Sequence, residues 1–378
     1  MIEVFMKALM LAACLISNVA IADEFTGFYA YENGDYTTAY PHLIDSAKKG
    51  NEEAMYLIGH MHQFGLGVNQ DLKAAQDWYL MSANKNNALS QLSLGFLYDE
   101  GKAVPRDHQK AFSWYMKAAQ LGNFVAQRNV GLIYATGDGA VLSEQKAFEW
   151  FKKSAEQDFS KAQVNLGYMY MMGFGTTKDA QKALYWYEKA AQQGYDQGQY
   201  SLALLYNGKY GIPEDQKAVS YWLTQAAIQG HVNAEAYLAY QYLNGLGVDK
   251  DINKAALLYQ VSAEKGNAYA EEQLGELLLL GLGVDKDIEK AVFWFTKAAA
   301  KGDTIAQGKL GYLYAAGIGV PKDNIKAYAW LKLATLHQNE QAEKDLSELK
   351  MALSNQELQE GEVLLQQFSK ENTTTSVD

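Results

Sequence analysis

The sequence predicts an all-α chain, an α-solenoid of helical hairpins with a 36-residue period, on three observations. All seven tryptophans, Trp78, Trp114, Trp150, Trp186, Trp222, Trp294 and Trp330, fall on one 36-residue spacing whose single missed mark is Leu258. A second position on that spacing is always small: Gly59, Gly95, Gly131, Gly167, Ala203, Ala239, Gly275 and Gly311. Each period also holds two apolar stripes at helical spacing, such as Leu94, Gly95 and Tyr98, then Ala111, Trp114, Ala118 and Ala119. Units of this size cannot bury an apolar face alone and must stack on their neighbours.

The chain opens with Lys7, an uncharged stretch of 15 residues from Ala8 to Ala22, and the small pair Ala20 and Ala22 before Asp23. That order reads as a secretory signal peptide, residues 1–22, cleaved after Ala22. The stretch falls short of the roughly 20 residues that span a bilayer. No integral membrane segment is therefore expected, and the mature chain is expected to be periplasmic or secreted. Glu3 is unusual in a signal sequence, which leaves both Met1 and Met6 open as the start. Leu11, Ala12, Ala13 and Cys14 spell a bacterial lipobox, the alternative in which Cys14 is acylated and anchors an outer-membrane assembly lipoprotein. Cys14 is the only cysteine, so a chain cleaved after Ala22 has neither a disulfide nor a cysteine metal site. The net charge of −11 survives cleavage, because Glu3 and Lys7 leave together, and argues against nucleic acid as a partner.

Within each repeat a first helix, A, and a second, B, form a hairpin. A small residue at the Gly95 mark lets B approach A. The tryptophan of B is expected to fill the space between repeats as core, where truncation costs roughly 3–5 kcal/mol. The A–B connection is glycine-rich, as in Gly65-Leu66-Gly67, Gly173-Phe174-Gly175, Gly245-Leu246-Gly247, Gly281-Leu282-Gly283 and Gly317-Ile318-Gly319. A phosphate-cradling loop would follow a strand, whereas these follow a helix and supply the left-handed residue that ends it. Asp71, Asp107, Asp179, Asp215, Asp251, Asp287 and Asp323, with Ser143 in the same series, are read as N-caps of helix B rather than catalytic acids. Helix B ends at Gly50, Gly122, Gly194, Gly230, Gly266 and Gly302, with Asn86 and Asp158 in the same role. That series stops at Gln338, which marks the end of the array.

The fifth repeat loses a residue before Gly208 and regains it before Trp222, which predicts a local bend. Ser354 and Glu357 form a capping box that opens a last helix, expected to reach about Phe368. Residues 371–378 read as a disordered tail. Motifs for chemistry are missing. His60 and His62, two residues apart, point to different helix faces, and the other histidines show no metal-ligand spacing. Asp249, Asp251 and Asn253 suggest a calcium loop, but Lys254 and Gln260 stand where its glycine and closing glutamate belong. With no nucleophile elbow, zincin motif or Walker sequence, the chain is read as non-enzymatic, without cofactor or metal.

Leu94-Gly95-Phe96-Leu97-Tyr98, the Gly-x-Gly loops, Arg106-Asp107 and Ala118-Ala119-Gln120-Leu121-Gly122, each with counterparts along the chain, resemble the Sel-one-like repeat family, relatives of the tetratricopeptide repeats. Eight tandem copies cover residues 51–338. Before them, Tyr36, Ala39 and Ala47 resemble helix B of an N-terminal cap, with Tyr29 to Glu32 left for a shortened helix A, so that residues 23–50 form a capping hairpin. Residues 339–370 would supply C-terminal capping helices. The resemblance implies a right-handed superhelix acting as an adaptor or scaffold, often exported in bacteria and sometimes engaging host proteins. A cysteine-rich branch is associated with penicillin binding and β-lactamase activity. This chain lacks that disulfide framework, so a cell-wall or β-lactam hydrolase is the lesser alternative.

In tetratricopeptide-like stacks helix A lines the concave surface, and the resemblance places a protein or peptide partner there. One residue after the small mark come His60, Phe96, Leu132, Tyr168, Leu204, Tyr240, Glu276 and Tyr312. Met171 and Met172 lie a turn further along, with Gln63, Phe64, Asp99 and Glu100 in equivalent places; Tyr56, Arg128 and Tyr200 lie three residues before the mark. Aromatic and methionine side chains there suit a groove for an extended segment or a helix. Phe96, Leu132 and Leu204 read equally as groove residues or as packing against the next helix A. Tyr168, Tyr200 and Tyr240 are the stronger candidates, because a phenol keeps one end wet.

Overall fold

The computed structural model describes residues 20–374, with side chains from 25 to 369. The features expected at Met1, Met6, Lys7 and Cys14, and the end of the chain from residue 375, lie outside them. Among the described residues every regular element is a helix, and they pair as consecutive hairpins. The chain forms two compact units, Met1–Trp186 and Tyr187–Asp378.

In the first unit α1 (Ala20–Glu32) and α2 (Tyr36–Lys48) form the N-terminal hairpin. Its first helix reaches further back than the expected Tyr29 to Glu32: α1 begins at Ala20, and 10 of its 13 residues follow the expected cleavage point after Ala22. The A and B helices of three repeats follow, α3 (Glu52–Phe64) and α4 (Leu72–Ala83), α5 (Ala88–Glu100) and α6 (His108–Gln120), α7 (Phe124–Thr136) and α8 (Glu144–Ala155). A fourth begins with α9 (Ser160–Met172) and α10 (Ala180–Gln192), inside which the unit ends.

The second unit takes the rest of α10 and four more pairs: α11 (Asp196–Leu205) and α12 (Gln216–Ile228), α13 (Val232–Asn244) and α14 (Ile252–Glu264), α15 (Ala268–Leu280) and α16 (Ile288–Ala300), α17 (Thr304–Ala316) and α18 (Asn324–Thr335). Two more helices, α19 (Glu340–Lys350) and α20 (Asn355–Thr374), complete it. The bend expected in the fifth repeat takes the form of a truncated helix. α11 has 10 residues and stops at a right-handed Tyr206, and Gly208 and Gly211 then turn the chain with φ of 81° and 89°.

Helix ends follow the series read from the sequence. Asp71, Asp107, Asp215, Asp251, Asp287, Asp323 and Ser143 each accept a hydrogen bond from the backbone N–H three residues on, and Asp179 does the same to Lys182 at 3.0 Å. These bonds hold the Asp107, Asp179, Asp251 and Asp287 carboxyls below their ordinary range. A second cap series, at the start of helix A, escaped the sequence reading: Asn51, Asn87, Asn123, His231, Asn267 and Asp303. Gln338 also corrects an expectation. It takes φ of 63°, so the left-handed helix end continues where the glycines stop.

The interlock between A and B is one residue away from where the tryptophans suggest. A Cβ on Gly95 would lie 2.3 Å from the Tyr115 ring, one on Gly131 2.6 Å from Phe151, and one on Gly275 2.8 Å from Phe295. The residue after each tryptophan therefore fills the slot, and Tyr79, Tyr115, Phe151, Leu223, Tyr259, Phe295 and Leu331 are all buried. Apart from Trp330 the tryptophans are half-buried. Trp114 and Trp150 flank the clusters centred on Tyr79 and Tyr115, with Lys117 and Lys153 lying 3.9 Å and 4.1 Å from their ring centres.

The second loop glycine has a purpose of its own. A Cβ on Gly139 would meet the His108 carbonyl at 2.6 Å, and one on Gly283 the Ile252 carbonyl at 2.5 Å, so each loop sits against the start of helix B one repeat earlier. The second repeat has Ala103 there, held at φ of 65°.

A polar tie also repeats. Gln91, Gln127, Gln199 and Gln307, all buried, donate to the carbonyls of Ala83, Ala119, Ala191 and Ala299 in the preceding helix B. Gln157 and Gln229, 30 residues on, donate in turn to Gln127 and Gln199, both at 2.8 Å. Where the buried residue is instead Glu235 or Glu271, the residue 30 positions on is Lys265 or Lys301, paired at 2.5 Å and 2.6 Å. Each lysine also donates to a glycine carbonyl, Gly230 or Gly266.

At the C-terminus Ser354 and Glu357 make the capping box in both directions, at 2.8 Å and 3.2 Å. The final helix stacks Phe368 on Trp330 with ring centres 4.1 Å apart. Tyr328 donates to Glu362 at 2.6 Å. The helix does not end near Phe368 but continues to Thr374, through the first residues of the expected tail.

Candidate binding surface

The expected surface residues fall into different environments. In the first unit Tyr56 and His60 are half-buried in an aromatic cluster. The Tyr31 hydroxyl meets His60 Nδ1 at 2.6 Å, Phe64 lies 4.6 Å from the His60 ring, and Tyr56 tilts against Tyr79 at 5.9 Å. Burial lowers the His60 pKa, and it raises that of Tyr31 to about 12 with help from Tyr56 and Tyr36. This pair ties the N-terminal hairpin to the first repeat. Phe96 is 37% exposed, and its ring stands edge-on at 5.5 Å to the buried Tyr115 on helix B of its own repeat.

Arg128 is half-buried and donates from Nε to Asn165 at 3.0 Å on the next helix A. Tyr168 is exposed and meets Phe174 edge-on at 5.9 Å. Met172 is exposed and Met171 half-buried. Arg128 thus spans two successive A helices, while Tyr168, Met171 and Met172 share α9.

The second unit contains a cleft. About 370 Å³ in volume, it is lined by Tyr200 of α11, Asn233, Ala236, Tyr237 and Tyr240 of α13, and Asn267 and Tyr269 at the start of α15. Tyr200 and Tyr240 were legible in the helix-A register. Tyr237 and Tyr269 were not, because their positions carry no repeated residue type. Tyr200 stacks on His231 with ring centres 4.6 Å apart, and Tyr237 and Tyr240 lie 6.2 Å apart. Tyr240 and Tyr269 keep about two-fifths of their surface free, at 37% and 42%. Burial raises the pKa of Tyr200, Tyr237 and Tyr269, so all three stay neutral donors at neutral pH.

One turn beyond Tyr269 on α15 lies Glu272, buried and bonded to the Gln273 amide. Burial, reinforced by Asp303 and Glu276, pushes its carboxyl up to about 7, against the pull of Gln273 and Lys309. Lys309 is itself paired with Glu276 at 2.5 Å. Tyr312, half exposed, lines a neighbouring cleft of about 470 Å³ with Ile305, Lys309 and Asp345.

Among the described residues no group of three or more His, Cys, Asp or Glu side chains could hold a metal ion, and no helix is long and apolar enough to cross a membrane. Phenols and asparagine amides can stack, accept and donate hydrogen bonds, and exclude water.

The sequence model of the Sel1 repeat family matches eight consecutive segments, 52–87, 88–123, 125–159, 160–195, 196–231, 232–267, 268–303 and 304–339. These bounds lie within a residue or two of the hairpins read from the tryptophan spacing. Among solved structures, c5321, a protective antigen present in uropathogenic Escherichia coli strains and displaying an SLR fold, is 31% identical. The match covers 93% of this chain and 84% of that one, with a TM-score of 0.53. A Sel1 repeat protein from Oxalobacter formigenes is 30% identical over 64% of this chain and 96% of its own, with a TM-score of 0.60. No curated protein matches.

Proposed function

The chain belongs to the Sel1 repeat family, and on that premise we propose that it is an exported, non-enzymatic scaffold that binds a protein or peptide on its helix-A face. Sel1 repeat proteins commonly serve as protein–protein interaction scaffolds. The observation that carries the reading is the cleft of Tyr200, Tyr237, Tyr240 and Tyr269, four large rings on three successive A helices. Tyrosine gives contact area at low entropic cost and is enriched where partners bind. Export is supported by Lys7, the uncharged run Ala8 to Ala22 and the Ala20/Ala22 pair.

The test is affinity capture from the exported fraction, with residues 23–378 as bait. Tyr200→Ala with Tyr240→Ala should keep the helical circular dichroism and lose the captured partner. Full capture by the folded double variant contradicts the reading. So does loss of capture through Tyr221, Leu257 and Phe293 instead, the exposed apolar residues that precede Trp222, Leu258 and Trp294 on helix B. Mass spectrometry of the mature protein should give Asp23 as the first residue. A lipid on Cys14 would replace cleavage after Ala22 by membrane anchoring.

A further inference from the structure

Resting on the reading that this helix-A face binds a partner, we propose that the tyrosine cleft receives a lysine or arginine side chain of that partner. The cation would sit among the rings of Tyr200, Tyr237, Tyr240 and Tyr269, close to the buried carboxylate of Glu272.

Two observations point to a missing positive charge. First, this fold commonly supplies its own cations to aromatic rings: Lys117 to Trp114, Lys153 to Trp150, Lys254 to Tyr242 and Lys326 to Tyr314, at 3.9 to 5.2 Å from the ring centre. Among the described residues no lysine or arginine lies over the four cleft tyrosines, and none lines the cleft. A ring face attracts a cation most strongly where water is displaced. Second, the buried glutamates nearby have their cations, Lys265 for Glu235 and Lys301 for Glu271, and the half-buried Glu276 has Lys309. Glu272 makes no ion pair of its own: the Gln273 amide bonds it, Lys309 acts on it only while paired with Glu276, and burial has driven its carboxyl toward the neutral form. A guest cation beside Tyr269 would restore the ionised form and gain from it. The net charge of −11 favours approach of such a partner at long range.

The proposal is tested by saturation-transfer NMR on residues 23–378 with four blocked amino acids as probes: the N-acetyl N-methylamides of arginine, lysine, citrulline and norleucine. The two cationic compounds should bind, and the two neutral ones should bind about fivefold or more weakly. Glu272→Gln, nearly isosteric and expected to fold, should weaken the cationic compounds by a similar factor and leave the neutral ones unchanged. Tyr240→Leu, which keeps an apolar side chain but removes the ring, should weaken them as well. Equal binding of arginine and citrulline, no binding of either, or wild-type affinity for arginine in Glu272→Gln overturns the proposal. Equal binding of charged and neutral probes that is lost in Tyr240→Leu would overturn it while leaving the cleft as a binding surface. The helix-A reading itself fails if partner capture ignores the cleft substitutions or is lost through helix B instead.

Discussion

Replacing Lys301 by glutamine removes one half of a buried charge pair, and the repeats themselves say what should follow. Glu271 is 1% exposed and its Oε1 meets Lys301 Nζ at 2.6 Å, while its other oxygen has no partner. Breaking a fully buried pair costs about 3–5 kcal/mol. The lysine is 37% exposed and water can reach the vacated space, which lowers the expectation to about 2–3 kcal/mol. Glu271→Gln leaves the lysine its bond to the Gly266 carbonyl, and should cost about 1 kcal/mol. The double variant reproduces the Gln127–Gln157 and Gln199–Gln229 ties, both 2.8 Å long, and should fall within about 1 kcal/mol of the parent. Urea unfolding followed by circular dichroism completes the cycle. Additive costs, with the double variant at least as unstable as Lys301→Gln, would refute the view that the two residues are one interchangeable unit.

Gly95→Ala puts a Cβ 2.3 Å from the Tyr115 ring and should lower stability by about 1–3 kcal/mol, whereas Lys161→Ala on an exposed helix-A position should do almost nothing; equal urea midpoints would show the interlock to be misplaced. Ala103→Gly relieves a left-handed alanine and should raise stability by about 0.5–1 kcal/mol, and a lower midpoint would contradict the strain. Glu272 predicts a pH dependence. Its folded pKa of about 7 lies above the ordinary 4.5, so the native state holds a proton that the unfolded chain releases. Its contribution is fully present below the unfolded value and is lost as pH rises through about 7, a difference of up to about 3 kcal/mol. The capping carboxylates of Asp107 and Asp251 shift the opposite way and lose their contribution in acid. They are shared by wild type and Glu272→Gln, so the gap between the two should open from pH 5 to pH 8 in favour of the variant, and parallel curves would refute it.

The helical-hairpin solenoid, its capping aspartates and its left-handed helix ends were legible because they recur and each recurrence has one backbone cause. The tryptophans misdirected the reading by one residue. The tryptophan marks are nearly uniform, while the next position varies among three residue types, running Tyr79, Tyr115, Phe151, Tyr187, Leu223, Tyr259, Phe295, Leu331. The more varied series is the buried one facing the small residue, so neither uniformity nor size was the signal for burial, and a large apolar residue of any shape fills the slot. The glutamine tie was also within reach, since Glu235 with Lys265 and Glu271 with Lys301 change together 30 residues apart. The cleft was only half legible. Tyr200 and Tyr240 follow from the register, but Tyr237 and Tyr269 stand where other repeats carry residues such as Ser93 and Lys161. A binding surface in a repeat protein is built where repeats differ, so the periodicity that reveals the fold does not reveal it.

The central claim, that the helix-A face of the second unit meets the partner, is tested most directly by site-specific photocrosslinking. A benzophenone amino acid placed at Tyr240, in the cleft, and separately at Phe293, on the exposed face of α16, would report contact at each. The account predicts a covalent adduct with the captured partner from position 240 and none from position 293. An adduct from 293 with none from 240 would contradict it.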